Sequence, residues 1–420
     1  MFKNRKIKVK FYGVNLKFKL YYYAVLLILL ALLITLSMYI EVEYFGKFKW
    51  SIVIIFLISV FFEYFTSEFS LSESQRIKAK LKKVIRDNKL FIKRVFLNDS
   101  IEMKFYTKEK HLYVEAYPKG VDYLSKLEKL GKVIETTLSL SLIDSKNNNA
   151  DRFTYIFEKN KPNRIYVQHE LFKNNRKGII SLDSEKSWNY SKYPHAIVAG
   201  KTGGGKTYFI YYLILSFLSQ NSTVFIGDPK QKDLYSLKHI IGEKYVESSA
   251  NGIAKILRLM YEEMDKRNEI MTEGGLNDFG KDYRDYNLSP VVGVFDEISV
   301  VKNDDLKVAK EIDRLLAQVI MKGRQYGVFV ILATQKPDAE TIPTNIRDQI
   351  SLRVSLGKMY REGLKMTLGD DFDELPAGEQ SQGQGFIFID GEGWSMPRTF
   401  KSPWFKNNEI DLFKAVSKYN

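Results

Sequence analysis

The sequence contains no cysteine, which excludes disulfides and thiolate metal sites. Histidine is scarce: four residues, at positions 111, 169, 195 and 239, are scattered and form no ligand pair. Internal repeats and low-complexity segments are absent. Acidic residues are outnumbered, with Lys+Arg 64 against Asp+Glu 50 and a net charge of +14. That excess suits a polyanion or an anionic membrane surface and does not choose between them. At 420 residues the chain has room for more than one domain.

Charge is also missing where the chain is most apolar. Leu20 to Ile40 carries none over 21 residues, enough to cross a hydrocarbon core roughly 30 Å thick. Trp50 to Ser67 is a second apolar stretch, interrupted only by Glu63. Lys3, Arg5, Lys6, Lys8, Lys10, Lys17 and Lys19 precede the first stretch with no acid among them, which predicts a cytoplasmic N-terminus. Two crossings then return the rest of the chain to the cytoplasm. A signal peptide is the alternative, but the run is long for one and no small-residue cleavage site follows. The expectation is a multi-pass protein of the cell membrane with both termini cytoplasmic. Residues 1–19 form a basic tail, 20–67 a two-helix transmembrane hairpin (about 20–40 and 50–67), and 68–95 a basic juxtamembrane helix.

Within that last segment, Arg76 to Arg94 holds nine basic residues and one acid, Asp87. Ile77, Leu81, Val84, Ile85 and Ile92 fall roughly on one helical face. Anionic lipid is the favoured partner for this segment and DNA the alternative. Residues 96–185 read as a small α/β domain. Strands are expected at Ile101–Tyr106, His111–Ala116 and Phe153–Phe157, a helix from Val121 to Leu142, and a break at Asn147-Asn148-Asn149.

The chemistry lies further on. Gly200-Lys201-Thr202-Gly203-Gly204-Gly205-Lys206-Thr207 satisfies the phosphate-binding pattern G-x-x-x-x-G-K-[ST]. An apolar run, His195 to Ala199, precedes it, and a helical run, Tyr208 to Leu218, follows. The glycines let backbone N–H groups surround phosphate oxygens, aided by the helix N-terminus. Lys206 is placed to reach the β- and γ-phosphates of ATP, and Thr207 to ligate Mg²⁺. Pro290 to Glu297 is an apolar strand ending in two carboxylates. In that arrangement Asp296 belongs to the Mg²⁺ shell and Glu297 polarises the attacking water. A third apolar run, Val328 to Ala333, ends in Thr334-Gln335. The Gln335 amide is a candidate γ-phosphate sensor or water-positioning group. Alternating strands and helices over 186–405 imply a parallel sheet, and 406–420 is a short polar tail.

These segments resemble the FtsK/SpoIIIE-type DNA translocases. The similarity runs from Pro194 through Thr207, and includes Asp228-Pro229-Lys230 and Glu263 to Met271. Lys322-Gly323-Arg324, Ile331 to Pro337, Arg353-Val354 and Gly385 to Phe388 continue it. It covers about residues 186–405, and the pattern of 96–185 is similar to the small α/β domain that precedes the motor in that family. The resemblance implies a RecA-like P-loop motor that works as a homo-hexameric ring on DNA, with a neighbouring subunit supplying an arginine to the ATP. Arg324 is the first candidate and Arg353 the second; the alternative for each is a surface or structural arginine. No counterpart of the family's C-terminal winged-helix domain follows the motor, and two spans replace the larger membrane domain. That layout resembles the coupling proteins of Gram-positive conjugative plasmids and integrative elements, which implies a relaxase and conjugation-channel proteins as partners. Septal chromosome segregation and FtsK-like protein secretion are the rival functions. A bacterial P-loop tyrosine kinase fits less well, given Asp228-Pro229-Lys230 and Gln335.

Overall fold

A computed structural model describes residues 6–11, 28, 31–32, 70–92, 99–118, 123–148, 151–159, 163–167, 172, 177–273, 280–303, 305–338, 344–370, 372, 375–376 and 378–405. The two expected membrane spans lie almost wholly outside these residues. Among the described residues no helix is long and apolar enough to cross a membrane. The chain divides into two compact units, Met1–Asn160 and Lys161–Asn420.

The first unit is built on an antiparallel sheet of five strands. These are β1 (Ile7–Val9), β4 (Glu102–Lys108), β5 (His111–Tyr117), β6 (Ser141–Asn148) and β7 (Arg152–Glu158), ordered β1-β4-β5-β7-β6. A short ribbon joins β2 (Phe91–Ile92) to β3 (Asp99–Ser100). Alternation decides the faces: Met103, Phe105, Leu112 and Val114 are buried, and their neighbours in sequence point the other way. Helices α1 (Glu73–Asp87) and α2 (Leu130–Leu138) pack on each other and on strands of the buried side.

Three local expectations change here. The basic N-terminal tail is not all tail: Ile7, Lys8 and Val9 pair with Phe105, Lys104 and Met103. The juxtamembrane helix ends at Asp87, with Lys89 in the left-handed region at φ 51°. Its Leu81, Val84 and Ile85 are buried within the protein, whereas Ile92 sits in a strand and is exposed. That apolar face is therefore already covered by protein. The helix expected from Val121 to Leu142 stops at Leu138, where Ser139 turns left-handed at φ 57°. Strand β6 then runs on through Asn147 and Asn148, two of the three asparagines expected to break the chain; Asn149 lies outside the described residues.

The second unit contains an eight-stranded sheet. Its strands are β10 (Ala196–Gly200), β11 (Thr223–Gly227), β12 (Val246–Glu247), β13 (Val291–Asp296), β14 (Val328–Thr334), β15 (Leu352–Leu356), β16 (Gln384–Ile389) and β17 (Arg398–Lys401). The order is β12-β11-β13-β14-β10-β15-β16-β17, parallel as far as β15 and antiparallel at β16 and β17. The central strands are apolar throughout because both faces are covered. Helix α3 (Lys206–Leu218), apolar on every side, packs against Val198, Val294 and Ile331. Helices α4 (Ala250–Thr272) and α5 (Leu306–Tyr326) pack against the alternate set, including Ile197, Phe295 and Val330. Side-chain caps begin both: Ser249 accepts from Gly252 N, and Asp305 from Lys307 N and Val308 N.

The division between the units falls ahead of the expected boundary at 185/186. A hairpin of β8 (Ile179–Ser181) and β9 (Ser187–Asn189) precedes β10. Trp188 and Tyr190 are fully buried against Phe217, at ring separations of 6.0 and 4.7 Å. Aromatic burial of this size binds the hairpin to the motor core.

Candidate active site

The phosphate-binding loop joins the C-terminal tip of β10 to the first turn of α3. Two glycines are required by geometry. Gly205 has φ +96°, and a Cβ there would lie 2.8 Å from Gly383 N. At Gly204 a Cβ would lie 2.8 Å from the Leu356 carbonyl oxygen. The loop is further tied by Gly383 N donating to Gly204 O at 2.8 Å and Gly204 N to Lys201 O at 2.8 Å.

Parallel order puts the C-terminal tips of β10, β13 and β14 side by side, so residues far apart in sequence converge. Lys206 Nζ lies 2.5 Å from Asp296 Oδ1 and 3.0 Å from Glu297 Oε1. Burial pushes the Asp296 carboxyl above its ordinary range, and the Lys206 ammonium works against that shift. Glu297 is held from several directions. Its backbone is left-handed at φ 54°, and its N–H donates to Ala333 O at 2.8 Å. Its Oε1 accepts from Gln335 N at 2.7 Å, and its Oε2 from Thr334 Oγ1 at 3.4 Å. A non-glycine residue in that backbone region stores strain. Here the strain turns the carboxylate back across the strand tips.

Gln335 therefore touches the site differently from expectation. Its backbone N–H holds Glu297, while its side-chain Oε1 accepts from Thr202 Oγ1 at 3.2 Å. Lys201 places its ammonium 3.8 Å from the Tyr360 ring centroid. Lys201, Thr202, Gln335 and Tyr360 line part of a cleft of about 880 Å³ beside the loop.

Two residues with no role assigned from sequence join the set. Asp228, buried at the tip of β11, accepts from the backbone N–H groups of Lys230, Lys232 and Tyr235 at 3.2, 3.0 and 3.1 Å. This turn presents Lys230, whose Nζ lies 3.7 Å from Glu297 Oε1. Asp228-Pro229-Lys230 at a strand tip was the available signal; only the strand order reveals that β11 adjoins β13.

The two arginine candidates separate. Arg324 is exposed in the last turn of α5, ahead of β14. The strand between it and Gln335 is seven residues long, roughly 20 Å at about 3.3 Å per residue. Arg324 is thus remote from the phosphate loop of its own chain. Arg353 is a correction: it is buried and donates to the carbonyls of Ile350, Leu368 and Arg347 at 3.0, 3.1 and 3.4 Å. Committed to backbone in this way, it braces β15 and is not presented to a neighbouring subunit.

Thr207 and Asp296 offer a hydroxyl and a carboxylate, hard oxygen donors that suit Mg²⁺. Among the described residues no group of three or more His, Cys, Asp or Glu is placed to hold a metal. Few protein ligands are what an ion shared with phosphate oxygens and water requires.

Comparison with known proteins agrees with this geometry. The FtsK/SpoIIIE family profile matches residues 155–359. The chain is 31% identical over 328 residues to the Ftsk domain-containing protein YdcQ of Bacillus subtilis, covering 74% of this chain and 67% of that one. It is 24% identical over 242 residues to the DNA translocase FtsK of Caldanaerobacter subterraneus subsp. tengcongensis, covering 55% of this chain but only 32% of the translocase. Among solved structures, the pCW3 conjugation coupling protein TcpA, a monomer form with ATPγS, superposes with a TM-score of 0.54 at 17% identity. That likeness of fold spans 82% of this chain and 99% of the other. The loop, the paired carboxylates and these relatives together place the chain in the FtsK/SpoIIIE family of P-loop ATPases.

Proposed function

We propose that the protein is a membrane-anchored, ATP-driven DNA translocase that acts as a conjugative coupling protein, delivering DNA to a transfer channel. The observation that carries the motor reading is the convergence of Lys206, Asp296 and Glu297 at adjoining strand tips. Lys206 and the loop amides bind the triphosphate of ATP, and Thr207 with Asp296 hold Mg²⁺, which neutralises phosphate charge when bound. Glu297 accepts a proton from the attacking water. Arg324, exposed and far from its own loop, suits donation to a neighbouring subunit in a homo-hexameric ring.

The conjugative reading draws support from coverage. The likeness of fold to the coupling protein spans 82% of the chain, more than the motor unit, which begins at Lys161. The anchored topology is compatible with β1. The chain leaves the small sheet after Val9 and has rejoined it by Glu102. Any membrane crossings between those points are therefore even in number, as a hairpin with both ends in the cytoplasm requires. A relaxase and channel proteins are the partners this role implies.

The test uses the full chain in detergent. Turnover is measured alone, with single-stranded DNA, with duplex DNA and with candidate secreted proteins. DNA should stimulate hydrolysis, and ATP should drive displacement of streptavidin from biotin-ended DNA, with no displacement by Glu297→Gln. Stimulation by a secreted protein but not by DNA would move the assignment to secretion. Unaltered plasmid transfer from cells carrying only Glu297→Gln would end the conjugative reading.

A further inference from the structure

We infer that the open face of the five-stranded sheet in the first unit is a docking surface for single-stranded nucleic acid. The inference concerns a surface outside the motor and stands whether or not hydrolysis moves DNA.

The residues that alternate with the buried set face the other way. On β4 these include Lys104 and Tyr106; on β5, Tyr113 and Tyr117. In register, Tyr106 pairs with Tyr113 and Lys104 with Lys8 of β1. The Tyr106 and Tyr113 rings stack at 5.0 Å with 6° between their planes. Lys6 lies 5.1 Å above the Tyr106 ring, and Lys104 lies 4.5 Å above that of Tyr117. Aromatic planes and ammonium groups thus alternate across one flat surface.

Three carboxylates on this face are engaged by cations. Glu115 bonds Lys6 at 2.8 Å and Arg152 at 3.3 Å. Glu102 bonds Lys8 at 2.6 Å, with Lys10 and Lys104 at 3.5 and 3.4 Å. Asp144 bonds Lys146 at 3.2 Å. The six cations and three carboxylates of these pairs sum to a local charge of +3. A polyanion supplies the complement.

The aromatic component narrows the class. Sheet faces that carry rings between basic residues stack unpaired bases while the cations take phosphates. A duplex keeps its base faces inside its own stack and would use only the cations. A bilayer would need apolar side chains to insert. The aromatic residues of this face, Tyr106, Tyr113 and Tyr117, are instead half-buried and carry polar hydroxyls. Single strands fit all three observations.

The experiment measures anisotropy of fluorescein-labelled oligo(dT) with the full chain in detergent. The comparison is wild type against the combined Lys8→Gln, Lys104→Gln and Lys146→Gln variant. The dissociation constant should rise about tenfold, and the slope of log K against log salt should fall by about 2, from three contacts at ~0.7 each. Basal ATP turnover should not change, and circular dichroism should confirm that the variant folds, since Glu102 and the buried Asp144 lose ion-pair partners and the melting temperature falls somewhat. Photocrosslinking with 5-iodo-deoxyuridine oligonucleotide should mark Tyr106, Tyr113 or Tyr117. Unchanged affinity and slope in the variant overturn the inference, as do crosslinks confined to residues beyond 161. So does a variant that keeps oligo(dT) affinity but loses binding to phosphatidylglycerol vesicles, which would assign the face to the membrane.

Discussion

Lys230 and Glu297 face one another across the tips of two adjoining strands, Nζ to Oε1 at 3.7 Å. Lys206 also contacts this carboxylate, but its expected partners in catalysis are phosphate oxygens. Lys230 is then the ammonium that keeps Glu297 oriented. Replacing Lys230 with Met should lower kcat about tenfold, a loss of ~1.4 kcal/mol in the transition state. ATP affinity should be unchanged, and Lys230→Arg should retain most of the activity. Steady-state kinetics alongside fluorescent nucleotide binding separates the two quantities; a weakened affinity with normal kcat would remove Lys230 from this role.

Glu297→Gln keeps the shape of the side chain and loses its basicity. The amide oxygen can still accept from Gln335 N and the amide NH2 can donate to Thr334 Oγ1, so the fold should hold. Hydrolysis should fall by about 10² to 10⁴, the usual contribution of a positioned base, with ATP still bound. Asp296→Ala should act on the other side of the same strand tip and weaken Mg²⁺-dependent nucleotide binding. Single-turnover assays and nucleotide titrations with and without Mg²⁺ distinguish them.

The two arginines should fail in opposite ways. Arg324→Ala removes an exposed side chain, so thermal stability should stay within ~0.5 kcal/mol while turnover falls. Mixing it with Glu297→Gln should restore some activity, because one subunit brings a working arginine and the other a working base. Arg353→Ala strips donors from the buried carbonyls of Ile350, Leu368 and Arg347. It should cost about 3 kcal/mol of stability. An unchanged melting temperature for Arg353→Ala would restore it as a candidate for action between subunits.

His195 offers a pH test away from the catalytic carboxylates. It is fully buried, left-handed at φ 58°, and its Nδ1 accepts from Val330 N at 3.1 Å. Burial lowers its pKa from 6.5 to about 4, with the Ile320 backbone opposing weakly. The unfolded chain binds the proton more readily between these values, so this contribution is full above about pH 6.5 and is lost as pH falls toward 4. Between pH 7 and 5 it amounts to about 2 kcal/mol. Asparagine tolerates the left-handed backbone, so His195→Asn should fold and lose stability less steeply over that range. Parallel slopes for the two proteins in denaturant titrations would contradict the assignment.

Much of the motor could be read in the chain. Lys206, Asp296 and Glu297 announced themselves because their strands are continuous apolar runs that deliver polar residues to one edge. Spacing could not say which strands adjoin, and the part of Lys230 depends on that order. Arg267 shows the same limit from another side. It belonged to a segment matched by resemblance, yet its guanidinium donates to Tyr326 O at 2.7 Å and Ser289 O at 2.9 Å. That ties α4 to the chain ahead of β13 and β14. The three residues of β1 were hidden for a different reason. An edge strand with one buried side chain, Val9, has no periodicity to detect among lysines.

Strand β1 also bears on how the motor is held. A machine that pulls on DNA must pass an equal and opposite force to whatever fixes it in place. On the proposed anchoring, that force enters the first unit at two points, after Val9 and before Ser70. At the first, three paired residues, the ion pairs of Lys6, Lys8 and Lys10, and the Phe11 N–H donating to Ser100 Oγ at 2.9 Å resist it. At the second, a 15-residue helix is keyed into the interior by Leu81, Val84 and Ile85. The shorter attachment is the weaker link. Under rising tension it should peel first, leaving the helix to carry the load, like a two-point harness in which one strap is made to slip.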